Sequence, residues 1–93
     1  MRNVAIVTSP WSVSLQKVAR SIAQVFEEKK NELGIDGTKL FLSQQVSPTE
    51  YKDVDLAIVV MTFDPLFIKS YAFIVYYLQQ YGRKAILYTT TEG

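Results

Sequence analysis

Thr8-Ser9-Pro10-Trp11-Ser12-Val13-Ser14 packs four hydroxyl side chains and the chain's only tryptophan into one short run. Neutral hydrogen-bonding groups beside an aromatic ring suit a sugar or another polyol. Such ligands carry hydroxyls and an apolar ring face together. Hydroxyls at a helix start also suit a resting phosphate. Thr62, Asp64, Thr90 and Glu92 are further candidates for ligand contact, because each stands at or just past the end of a strand-like run. With Thr8, Ser9, Trp11 and Ser12 they make a rim rich in hydroxyls with two carboxylates. No catalytic residue is assigned. Each candidate has a plainer role as well. Asp64 before Pro65 can cap a helix, the serines and threonines can build turns, and Trp11 can pack over a helix end.

The rest of the composition narrows the chemistry. The 93 residues contain no His and no Cys. Imidazole bases, thiolates and the commonest zinc ligands are therefore excluded. Any catalysis would run on carboxylates, lysine, tyrosine or hydroxyls. No metal and no cofactor is expected. The net charge of +1 offers no footprint for nucleic acid. Hydrophobic residues are 48% and charged residues 20%, the balance of a single folded domain over residues 1–93. The most apolar stretch, Leu66 to Leu78, is interrupted by Lys69 and Ser70. It is shorter than the roughly 20 residues of a membrane crossing. A cytoplasmic protein without a transmembrane segment is expected.

Hydrophobic spacing supplies the elements that must position the rim. Val4 to Val7 reads as a strand buried on both faces. Leu15, Val18, Ile22, Val25 and Phe26 recur at helical spacing, predicting a helix capped by Ser9-Pro10 or Ser12 that runs to about Asn31 or Leu33, with Gly34 as its stop. Thr38 to Leu42 is a second strand. Ser47-Pro48-Thr49-Glu50 reads as a capping box opening a short helix to Asp53. Asp55 to Met61 is a third strand, apolar enough to be central. Asp64-Pro65 starts a long helix that ends near Gly82, and Ala85 to Thr89 is a fourth strand. Strand and helix alternate, which predicts an α/β fold. Its form is a four-stranded parallel sheet in order 2-1-3-4 with helices on both faces, a Rossmann-like or flavodoxin-like sandwich. Ligands bind such sheets beyond the strands' carboxyl ends, where the strand order reverses.

Two features point to a covering partner. The fourth strand is a bare edge. The third helix is apolar nearly all round: with Ile68, Tyr71, Ala72, Val75 and Leu78 toward the sheet, Phe73, Tyr76 and Tyr77 are left as interface residues.

In order, the segments VAIVTSPW, KVARSIAQVF, DVDLAIVVMTFDP and GRKAILYTTTEG resemble the N-terminal half-domain of GT-B glycosyltransferases. The resemblance spans most of the chain as a pattern of elements. It implies an acceptor-side domain for a saccharide or glycolipid, inactive alone, within a longer two-domain chain whose second domain grips the nucleotide sugar. By position, Thr8 to Ser12 and Thr90 to Glu92 would line the cleft. The family's glycine pair in the first loop is replaced here by Trp11-Ser12-Val13-Ser14, so donor contact from this loop is not implied. The alternative expectation is a small stand-alone flavodoxin-like binding or interaction module, a homodimer through the third helix or the fourth-strand edge. A magnesium-dependent receiver domain is excluded, since Thr8-Ser9 stand where its carboxylates belong.

Overall fold

Val4 to Val7 and Ala57 to Met61 are apolar on both sides of their strands, so the sheet that joins them must be covered twice. The computed structural model describes residues 3–42, 49–62, 65–80 and 82–90. Strands β1 (Asn3–Thr8), β2 (Gly37–Leu42), β3 (Val54–Thr62) and β4 (Lys84–Thr90) form one sheet in the order β2-β1-β3-β4. All three pairings are parallel. Helices fill two of the crossovers: α1 (Val13–Glu28) and the one-turn α2 (Lys30–Leu33) between β1 and β2, and α3 (Pro65–Gln80) between β3 and β4. This is the Rossmann-like, flavodoxin-like architecture expected.

Side-chain alternation splits the core in two. Val4, Ile6, Ile58 and Val60 pack with Leu15 and Ala19 of α1 and with Ile35. Ala5, Val7, Ala57, Val59 and Met61 pack with Tyr71, Ile74 and Leu78 of α3 and with Tyr51. Val4 through Val7 are fully buried. Burying an aliphatic side chain of this size contributes about 1.5–3 kcal/mol. The two central strands are thus the chief source of stability.

The helix ends follow local chemistry. Ser12 caps α1, its Oγ accepting from the Leu15 N–H at 3.3 Å. Gly34 at φ 70° closes α2, and the Ile35 N–H reaches back to the Lys30 carbonyl at 3.0 Å. Only a residue without a Cβ adopts that left-handed geometry cheaply. The single long helix expected here is broken at Lys29, whose N–H bonds the Val25 carbonyl.

Two further expectations change. The helix expected from the Ser47 capping box is not formed where it is described: Ser47 and Pro48 lie outside the described residues, and residues 49–53 are turns. The Val54 N–H closes one turn on the Tyr51 carbonyl at 3.2 Å. Tyr51 is the one apolar side chain between Thr49 and Asp53, and a single anchor does not hold a helix against a sheet. Its ring instead packs against Phe41, the centroids 4.8 Å apart and the planes tilted by 37°, within the α3-side core.

The rotation of α3 also differs. Tyr71, Ile74 and Leu78 face the sheet, while Ile68 and Ala72 are exposed and Val75 is half-buried. Tyr77, expected to point away, packs half-buried against the α3-side core. Phe73 and Tyr76 do remain exposed. In a helix apolar around most of its circumference, shape decides which stripe is buried, and the branched Ile74 displaces the small Ala72.

Among the described residues, the Tyr51 hydroxyl is buried without a hydrogen-bond partner. Tyr51→Phe is therefore expected to leave stability at neutral pH unchanged, or to raise it by up to about 1 kcal/mol in urea unfolding. Burial raises the pKa of this hydroxyl, and the Glu50 carboxylate and Tyr71 add to the effect. The folded chain keeps the proton while the unfolded chain releases it above about pH 10. Wild-type stability falls as pH rises past that point, and the phenylalanine variant falls less steeply. A loss of stability at neutral pH would contradict this.

Candidate functional site

The carboxyl ends of all four strands lie along one edge of the sheet. The rim they form is stepped. Val7 is level with Val59, and Thr62 with Thr90, so β3 and β4 run on beyond Thr8. The step is two residues, roughly 7 Å at the usual strand rise. The loop between β1 and α1 begins at the lower side of this step.

That loop uses its polar groups on itself. Thr8 is fully buried, and its Oγ1 donates to the Val60 carbonyl at 3.0 Å. Ser9 is also fully buried, and its Oγ accepts the Trp11 N–H at 3.1 Å. Ser12 is the helix cap, with its Oγ also 3.3 Å from the Ser14 Oγ. Gln16, on the first turn of α1, reaches back and donates its Nε2 to the Ser9 carbonyl at 3.2 Å and the Pro10 carbonyl at 2.9 Å. Backbone and side chain thus brace each other from Thr8 to Gln16.

Trp11 is what the loop presents. It is 76% exposed, with Val13 beside it 68% exposed. The alternative in which Trp11 packs over the helix end is not adopted. Thr62 is buried at the end of β3, and Thr90 ends β4 in register with it. Thr8, Ser9, Trp11, Ser12, Thr62 and Thr90 therefore share the rim. Asp64 and Glu92, the two candidate carboxylates, lie outside the described residues. Among the described residues, no cluster of three or more His, Cys, Asp or Glu side chains is placed to hold a metal.

Sequence reasoning assigned no role to Gln16. The signal was present: an amide four positions after a helix cap lies over the incoming chain, where it meets unpaired loop carbonyls. It also missed Glu27. Between α1 and β2, Arg20, Ala23, Gln24, Glu27, Thr38 and Leu40 line an open groove of about 450 Å³. There Glu27 accepts from the Lys30 ammonium at 3.0 Å and from the Thr38 N–H at 3.1 Å. The Lys30 hydrogen bond, opposed by desolvation, leads the causes that hold its carboxyl below the usual range. The residue clasps β2 to α1.

Comparison with known protein families, with curated proteins and with solved structures finds no match. No helix among the described residues is long and apolar enough to cross a membrane.

The two halves of the loop are expected to respond differently to substitution. Thr8→Val removes a buried hydroxyl with a partner and is expected to cost about 1 kcal/mol in chemical unfolding. Trp11→Ala removes a ring that faces solvent, and a change within about 0.5 kcal/mol is expected. Equal costs, or a larger one at Trp11, would show that the indole belongs to the core.

Proposed function

We propose that this protein is a non-catalytic binding domain that takes a neutral saccharide, free or as the head of a glycolipid, at its carboxyl rim. The observation that carries the reading is the exposed Trp11 on a loop whose described hydroxyls are turned inward. An indole carried on a braced backbone is a flat, apolar platform, and the loop backbone has little entropy left to lose on binding. It suits the apolar face of a pyranose ring. Polar contacts to the sugar hydroxyls would then come from backbone groups of the loop. This is the acceptor side of a glycosyl transfer, as the resemblance to GT-B enzymes implies. In this reading a separate domain supplies the donor site and the catalytic groups.

A single tryptophan makes the test direct. Titration with neutral oligosaccharides is expected to shift or quench the Trp11 fluorescence in a saturable way. Nucleotide sugars alone are expected to leave it unchanged. By calorimetry, Trp11→Ala is expected to weaken oligosaccharide binding about tenfold or more, equivalent to about 1.4 kcal/mol. Saturable binding of a nucleotide sugar, or oligosaccharide binding indifferent to Trp11→Ala, would overturn the proposal.

A further inference from the structure

The sheet's two edges are built differently. β2 carries Lys39 in mid-strand, between Thr38 and Leu40. A central lysine is a common guard against edge-to-edge pairing. β4 is the other outer strand, hydrogen-bonded to β3 on its inner side. It reads Lys84-Ala85-Ile86-Leu87-Tyr88-Thr89-Thr90, with its one charge at the first position and neither proline nor glycine. Ile86, Leu87 and Tyr88 at its centre are each about half exposed. Register gives their faces. Ile86 and Tyr88 align with Ile58 and Val60 of the α1-side core, and Leu87 with Val59 of the α3-side core. Both faces of the edge are therefore apolar and open.

We propose that β4 pairs with β4 of a second copy, antiparallel about a two-fold axis at Leu87, to form a continuous eight-stranded sheet. The strand is self-complementary in this register. Ile86 falls opposite the second copy's Tyr88, and Tyr88 opposite its Ile86, giving two β-branched–aromatic pairs of the kind that stabilise sheets. Leu87 meets Leu87 on the other face. Lys84 falls opposite Thr90, which places the two ammonium groups at opposite ends of the seam. Their strand positions are six residues apart, about 20 Å, beyond the screening length at physiological salt. A parallel seam would set the two lysines side by side. With a net charge of +1 per chain, long-range repulsion between copies is small. The axis also turns the two carboxyl rims toward opposite ends of the assembly. Each copy keeps its own Trp11 rim, so this inference stands apart from the saccharide proposal.

Sedimentation of the full chain is expected to show a concentration-dependent species of twice the 10.6 kDa chain mass. A cysteine scan reads the register, because the native chain has no thiol. Directly opposed antiparallel residues have Cα atoms about 4.5–5.5 Å apart, within the range of a disulfide. Leu87→Cys is expected to oxidise to a covalent dimer, whereas Lys84→Cys stays reduced. Leu87→Lys, at a half-exposed position, is expected to keep its circular dichroism and lose the dimer, and mixing it with Leu87→Glu is expected to restore pairing. A chain that stays monomeric up to its solubility limit overturns the proposal. So does a dimer that cross-links no better at residue 87 than at residue 84, since its seam would lie elsewhere.

Discussion

The structure depends on the parallel pairing of β1 with β3. Val4 to Val7 and Ala57 to Met61 present apolar side chains to both faces and are all buried. A parallel ladder of this kind is stable only when both faces are covered. That requirement places α1 on one side and α3 on the other. Because all three pairings are parallel, every strand's carboxyl end lies at the same edge. The Thr8 hydroxyl closes the ladder with its bond to the Val60 carbonyl. The first loop then begins from a rigid point.

The same logic explains why the loop presents a tryptophan where many nucleotide-binding folds present glycines. Glycines let a backbone wrap a pyrophosphate. Here the backbone is held by Ser9, Ser12 and Gln16, and none of these bonds requires a left-handed residue. The chain gives up close backbone approach and gains an outward-facing aromatic side chain. Inward hydroxyls and an outward indole form one arrangement, since the hydroxyls satisfy the turn that lifts the ring.

Much of this was legible in the residues. Continuous apolar runs marked the strands, and Ser12 and Gly34 were readable as helix ends because capping is local chemistry. Strand order followed from alternation and crossover handedness. What was not legible depended on tertiary shape. The rotation of α3 is decided by which side chain fills the space over β3, and Ile68, Ala72 and Val75 are apolar too, so polarity alone does not pick out Ile74. The turns at residues 49–53 were hidden by a capping-box pattern, because only Tyr51 among them is an apolar anchor. The site was half legible. The rim and its residues could be named from strand ends. The direction of each hydroxyl, inward to the backbone or outward to a ligand, is set by hydrogen bonds that composition does not reveal.

The central claim is that the loop from Thr8 to Gln16 is braced from within and lifts Trp11 into solvent. Hydrogen exchange followed by NMR reads both halves of that claim in one sample. The Trp11 backbone amide, which donates to Ser9, is expected to be protected, while its indole N–H exchanges at close to the rate of a free side chain. A protected indole, or an unprotected backbone amide at Trp11, would contradict the account.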